Sequence, residues 1–240
     1  LYFDIEKGSM SNLDRSICFI DIIQSLRDPA TPPKLQQLPI KYDFKSTTVV
    51  AVGLKTVYIA DCAKKDHTIS AYSFEGKLLD KMTITNSLFD DKSQEPQPQQ
   101  LEEINYDDYY YQQIALAPRI VDIAEIVVFG NYFVVFYQIE KTFNTYITMC
   151  RLFFQSRINS ELSEVNEFKF GKRIYQQNLS WTRGRGAIPV FFACDERQYW
   201  ILAIFRGKLI KGAEGTFETS VSWITNVGRA KFLVATNTSG

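Results

Sequence analysis

TVVAVGLKTVYIADCAKKDHTISAYSFEGKLLDKMTI, residues 48 to 84, contains four apolar runs of five to eight residues separated by turn-forming residues. Thr48 to Gly53 passes through Leu54-Lys55 into Thr56 to Ala60. A polar loop from Asp61 to His67 precedes Thr68 to Phe74, and Glu75-Gly76 turns the chain into Lys77 to Ile84. Val, Ile, Thr, Tyr and Phe dominate these runs, and such side chains fit a pleated, half-buried surface better than a helix. Short runs of this kind joined by tight turns predict an antiparallel meander of four strands.

The same grammar recurs downstream. Ile123 to Phe129, a Gly130-Asn131 turn, Tyr132 to Ile139 and Tyr146 to Phe154 form a second set. Pro189 to Cys194, an Asp195-to-Arg197 turn and Gln198 to Phe205 form another hairpin, and Val221 to Thr225 with Lys231 to Thr236 a last pair around Gly228. Helical periodicity is weak. It is confined to Asp21 to Leu26, which Pro29, Pro32 and Pro33 terminate, and to Ser160 to Phe168, where Asn or Ser can cap.

The repeated units share a local signature. Phe74-Glu75-Gly76-Lys77-Leu78-Leu79 matches Phe205-Arg206-Gly207-Lys208-Leu209-Ile210, with a shortened copy at Phe170-Gly171-Lys172-Arg173-Ile174 and a looser one at Tyr2 to Gly8. Each reads as a strand ending in an aromatic, a Gly free to take positive φ, and a return strand opening with Lys. Gly171 and Gly207 are 36 residues apart and Gly76 and Gly171 are 95 apart, near one and two propeller blades of about 40 to 45 residues. On Val57-Tyr58-Ile59-Ala60-Asp61 followed by Ile69 to Lys77, the chain resembles a divergent β-propeller of the TolB-like six-bladed type. The Trp-Asp and Gly-His signatures of WD40 repeats and the double Gly of kelch repeats are missing. The resemblance implies blades about a ring, complete or partial, and an extracytoplasmic location. The expected fold is therefore all-β, a propeller-like array of four-stranded antiparallel meanders with few short helices, spanning 1–240 as one domain.

The chain has 240 residues, 45% hydrophobic and 22% charged, so disorder, collagen-like repeats and coiled coil are poor descriptions. Twenty-seven basic residues balance twenty-seven acidic ones, and no whole-molecule field draws the protein to nucleic acid or to an anionic membrane. The longest apolar stretch, Ile126 to Ile139, is broken by Gly130 and Asn131 and falls short of the roughly 20 residues a spanning helix needs. Cys18, Cys62, Cys150 and Cys194 are widely scattered and accompany a single histidine, His67, so no zinc site is expected. Each Cys borders an apolar run and reads as a small buried hydrophobe, with disulfides left open. The chain opens on Leu1 rather than Met, so its start carries no targeting information. Leu1-Tyr2-Phe3 and Gly8-Ser9-Met10 resemble cleavage-site and cloning remnants, although Tyr2 to Ile5 also reads as a strand.

Residues 86–113 depart from this pattern, combining Asp90, Asp91, Glu95, Glu102, Glu103, Asp107 and Asp108 with prolines and glutamines. They read as a flexible insertion between blades. Its tyrosines Tyr109, Tyr110 and Tyr111 are candidate contacts, because Tyr offers large area at little rotamer cost. Calcium is not expected there, since the regular D-x-D-x-D-G spacing is absent. Trp181, Arg183 and Arg185, in Trp181-Thr182-Arg183-Gly184-Arg185-Gly186, form a second candidate site, because Arg forks onto anions and stacks on rings. Lys64, Lys65, Lys172 and Arg173 read as solvated turns, and His67 as an exposed loop residue without a G-x-S-x-G partner motif. No catalytic, metal or cofactor constellation emerges. The expectation is a non-catalytic binding module that recognises a protein or glycan through loops on one face. Its rivals are a carbohydrate hydrolase using Asp61, Asp122 and Asp195 from separate blades, and an OB-type binder of single-stranded nucleic acid, against which the zero net charge argues.

Overall fold

A computed structural model describes residues 2–7, 14–20, 35–43, 48–62, 67–84, 119–142, 145–183, 188–228 and 231–237. The insertion at 86–113 with Tyr109, Tyr110 and Tyr111, the helix expected over Asp21 to Leu26, the lysines Lys64 and Lys65, and Arg185 lie outside the described residues.

The chain forms five antiparallel sheets in sequence order. The first contains β1 (Tyr2–Lys7), β2 (Asp14–Ile20) and β3 (Leu35–Gln37). The second is the meander of β4 (Thr48–Val52), β5 (Thr56–Cys62), β6 (His67–Ser73) and β7 (Leu78–Ile84), as the opening stretch predicts. The third holds β8 (Arg119–Phe129), β9 (Tyr132–Thr142), β10 (Thr145–Gln155) and β11 (Leu162–Lys169). The fourth holds β12 (Leu179–Arg183), β13 (Pro189–Cys194), β14 (Gln198–Phe205) and β15 (Lys208–Thr216). The fifth pairs β16 (Ser220–Gly228) with β17 (Lys231–Asn237). Among the described residues the only helical element is one 3-10 turn, Gln176–Asn178.

The sheets stack face to face in chain order because their middle strands are apolar on both faces. On β5, Val57 and Ile59 pack toward Ile17, Leu38 and Ile40, while Tyr58 and Ala60 pack toward the third sheet. On β9, Phe133, Val135, Tyr137 and Ile139 face the second sheet, and Val134 and Phe136 face the fourth. On β13, Phe191 and Ala193 face the third sheet, and Phe192 and Cys194 the fifth. Two-sided burial is why these strands read as continuous apolar runs rather than alternations. Each fully buried Phe, Ile or Val contributes about 1.5–3 kcal/mol. Aromatic contacts cross the seams: Tyr58 lies 4.5 Å from Phe133, and Phe191 lies 5.7 Å from Phe129 and 5.6 Å from Phe136, ring centre to ring centre.

Successive sheets run in the same sense. Gly53, after β4, abuts Val128 near the end of β8, and the Tyr58 hydroxyl donates to Gln155 Oε1 at 2.7 Å. Asp80 at the start of β7 accepts from Leu162 N at the start of β11. Asn166 of β11 donates to Leu209 O and accepts from Leu209 N of β15, at 2.8 and 3.0 Å. Like strands therefore meet across the seams from the second sheet to the fourth, and this part of the stack has two different ends. One, the hairpin end, carries the turns β4–β5, β6–β7, β8–β9, β10–β11 and β14–β15. The other, the connection end, carries the described links from the third sheet to the fourth and from the fourth to the fifth together with the β13–β14 turn.

A buried cation sits in the seam between the second and third sheets. Arg151 is fully buried, and it donates to Glu167 at 2.9 Å and Glu164 at 3.2 Å with its guanidinium 5.5 Å from the Tyr137 ring centre. A register shift between Leu152 and Phe153 lets both carboxylates of β11 reach it.

Three expectations are corrected. Ser160 to Phe168 is not a helix: Leu162 onward is the edge strand β11, whose ladder with β10 and whose carboxylates on Arg151 override weak helical spacing. His67 is not an exposed loop residue, because β5 and β6 extend beyond their apolar runs and His67 opens β6 at 7% exposure, paired with Cys62 and Ile84. Gly171 is not equivalent to Gly76 and Gly207. The latter two, at φ +81° and +72°, turn β6 into β7 and β14 into β15, whereas Gly171 lies in the link between the third and fourth sheets, at the opposite end. The corresponding β10–β11 turn runs over 156–161 and contains Ser160 at φ +61°. Cys18, Cys150 and Cys194 are buried as expected, the last two as free thiols.

Candidate binding site

The link that follows β11 is fastened rather than loose. Phe170 N donates to Thr148 O at 3.0 Å, Thr148 N to Lys172 O at 2.7 Å, and Ile174 N to Thr148 Oγ1 at 2.7 Å. Gln138 Nε2 reaches Ile174 O at 3.2 Å. Phe170 and Ile174 are buried as anchors, which leaves Lys172, Arg173 and Tyr175 at the surface between and beside them. Asn178 N then donates to Tyr175 O and closes the 3-10 turn.

The β13–β14 turn meets this link. Asp195 Oδ1 accepts from Arg197 N at 3.0 Å and Gln198 N at 2.6 Å, and its Oδ2 pairs with Lys172 Nζ at 2.8 Å. Burial pushes the Asp195 carboxyl up, but Lys172 and the N–H groups of Gln198 and Arg197 outweigh it and hold the group below the usual range. Phe217 N and Val221 N donate to Arg197 O and Glu196 O, both at 2.7 Å, so the same turn fixes the entry of the fifth sheet.

Between these parts lies an open cleft of about 710 Å3, bordered by Tyr146, the 171–178 link, the 195–197 turn and the start of β16. Arg173 stands in it with its guanidinium carbon 4.7 Å from the Tyr146 ring centre and 4.9 Å from that of Tyr175. Tyr146 is steadied in turn by its hydroxyl, which donates to Glu140 at 3.2 Å. Both rings contact the cation, each contact worth about 0.5–1 kcal/mol. No carboxylate pairs with Arg173 among the described residues, and its buried Nε has no hydrogen-bond partner. Asn178 also lines the cleft, is 7% exposed, and leaves its Oδ1 without a partner. A buried polar group left so costs about 1–3 kcal/mol, and both atoms belong to residues lining the same cleft.

The hairpin end differs. Its cleft of about 530 Å3 lies between the second and third sheets and is lined by Gly53 to Thr56, Gly130, Asn131 and Gln155 to Arg157. Its floor is the Tyr58–Gln155 hydrogen bond, with the Tyr58 phenol pushed up to about 12 by burial. Leu54 and Ile158 stand exposed near its rim.

The candidates read from sequence are dispersed. Trp181 is half-buried on β12 and packs on Phe129, 6.3 Å between ring centres. Arg183 is exposed where β12 ends, at the hairpin end. The chain leaves the second sheet at Ile84 and enters the third at Arg119, both at the connection end. The three proposed acids fall near the connection end but serve separate local tasks. Asp61 is buried and accepts from Tyr42 at 3.4 Å, Asp122 is exposed and caps Ile123 N at 2.8 Å, and Asp195 holds Lys172. Among the described residues no group of three His, Cys, Asp or Glu is placed to hold a metal ion.

Sequence reasoning missed Tyr146, Tyr175, Asn178 and Arg197, and read Lys172 and Arg173 as solvated. The available signal was a second tyrosine two residues after Arg173. No family model matches the chain, and no curated protein is similar to it in sequence. No helix among the described residues is long and apolar enough to cross a membrane.

Proposed function

We propose that this chain is a non-catalytic binding scaffold, its sheets standing as blades about a common axis, which recognises a protein or glycan through the loops of the connection end. The blade reading is supported by the way like strands meet: β4 lies against β8, β12 against β16, β7 against β11 and β11 against β15. The binding reading rests above all on one observation, a cleft at the connection end holding an arginine in contact with two rings and, among the described residues, left without a counter-charge. Rigid strands that present loops from several sheets at one end are a common platform for recognition. The hydrolase alternative is disfavoured by the separate engagements of Asp61, Asp122 and Asp195, the last of which is held below the usual carboxylate range by Lys172 and two main-chain N–H groups.

The test is binding of the whole chain to protein and glycan arrays, followed by replacement of one end at a time. Replacing 86–113 with a Gly-Ser linker, or Arg197 with Ala, reduces binding of the array hit, whereas replacing 184–187 leaves it unchanged. The reverse pattern overturns the assignment of the connection end. Turnover of chromogenic glycosides, abolished by Asp61→Asn or Asp195→Asn, overturns the non-catalytic reading.

A further inference from the structure

We propose that the connection-end cleft receives the carboxylate of an acidic peptide segment, gripped by Arg173 between Tyr146 and Tyr175. This deepens the binding reading above and rests on it. Four features of the cleft point to that ligand.

A guanidinium is planar and presents its N–H donors in a fork that matches a carboxylate edge to edge. Contacts with two rings, centred 4.7 and 4.9 Å from its guanidinium carbon, restrict how Arg173 can turn and offer its N–H groups no acceptor. The rings occupied in this way are not free to stack on a sugar from their inner faces, which lowers the cleft's value as a glycan platform.

Charge selects a monoanion. Lys172 is neutralised by Asp195, and the remaining cleft charges are Arg173 and Arg197 against Glu196. One net positive charge suits a carboxylate, whereas a phosphate dianion would bring its second charge beside Glu196 and Asp195.

A donor is wanted next to that anion. Asn178 Oδ1, buried in the cleft wall without a partner, accepts one hydrogen bond. An acidic residue in a peptide supplies both groups, a side-chain carboxylate and a main-chain N–H.

Size agrees. About 710 Å3 holds a few residues of extended chain, and the walls are held by main-chain hydrogen bonds at Thr148, Lys172 and Val221 and by the bond from Ile174 N to the buried Thr148 hydroxyl.

The experiment uses the full chain and a fluorescent ten-residue peptide with one central Glu among neutral residues. Companions carry Gln or phosphoserine at that position, and a glucuronate oligosaccharide serves as a fourth probe. The Glu peptide binds, and both Glu→Gln in the peptide and Arg173→Lys in the protein weaken it by about tenfold or more. Arg173→Lys keeps the charge and loses the fork and the stack, so equal binding by that variant overturns the proposal. Indifference to Glu→Gln, or no binding by any probe, overturns it as well. Tighter binding of the phosphoserine peptide transfers the site to phosphate, and binding of glucuronate alone transfers it to an acidic glycan. Arg173→Gln, of similar length and without charge, is checked by its unfolding midpoint, and a folded variant that still binds the Glu peptide contradicts the assignment. An array hit that is lost with the connection-end loops yet indifferent to Arg173→Lys leaves the binding scaffold standing and removes only the carboxylate.

Discussion

Two regions of this molecule hold an arginine against tyrosine, and they treat the charge in opposite ways. In the seam between the second and third sheets, Arg151 is fully buried and satisfied by Glu164, Glu167 and the Tyr137 ring. Its partners adapt to it: burial pushes Tyr137 and Glu164 up, and the nearby Arg151 charge pulls both back. In the connection-end cleft, Arg173 has two rings and, among the described residues, no carboxylate. A cation that is complete within the fold belongs to stability. One that is oriented but incomplete, at a solvent-open end, is available to a ligand.

The contrast breaks first at Arg151. Arg151→Ala leaves two half-buried carboxylates without their cation and is expected to destabilise the chain by about 3–5 kcal/mol in chemical denaturation. Next come the glycines that separate the two ends. Gly76→Ala must hold φ near +81° while its methyl runs into the Pro39 carbonyl, and is expected to cost on the order of 3 kcal/mol. Gly171→Ala, at φ +74° in open space, costs about 1–2 kcal/mol. Equal losses at the two positions would contradict the different surroundings of these turns.

Glu125, at an irregularity of β8, sharpens the comparison from the acidic side. Burial pushes its carboxyl up to about 7, and it has no cation partner among the described residues. The folded state holds this proton between pH ~4.5 and ~7 while the unfolded chain has released it. The favourable effect is therefore present below the unfolded value and is lost as pH rises through about 7. Glu125→Gln should flatten that decline in a pH series of unfolding midpoints and raise stability above pH ~7, by about 3 kcal/mol as an upper bound. An unchanged slope would remove Glu125 as its source. The smallest effect on stability is expected at Arg173→Ala, about 1 kcal/mol, the worth of its two ring contacts.

The second sheet was legible because its turns are short and its strand order is local: the runs in 48–84 became β4 to β7 with little change. The central strands were legible for a related reason, since two-sided burial leaves unbroken apolar runs such as Phe133 to Tyr137. Edge strand β11 was not, because an edge needs no alternation and its register is set by Arg151 on another strand. The Phe170-Gly171-Lys172 segment misled for a physical reason as well. Gly at positive φ serves both a hairpin and an inter-sheet link, and nothing local says which end of a sheet it occupies. The cleft itself was illegible, since Tyr146 and Tyr175 meet on Arg173 only after Thr148 pins the 170–174 link onto β10.

The division between the two arginines is tested most directly by thermal unfolding of the native chain, Arg151→Lys and Arg173→Lys, each with and without saturating Glu peptide. At about a hundred times its dissociation constant the peptide adds roughly 2.7 kcal/mol, about 5–10 °C for a chain of this size. The native chain and Arg151→Lys should both rise by that amount, the latter from a baseline lowered by several degrees. Arg173→Lys should start within about 2 °C of the native midpoint and gain little from the peptide. A large fall in the Arg173→Lys baseline, or a full peptide shift in that variant, would contradict the assignment of one arginine to the fold and the other to a ligand.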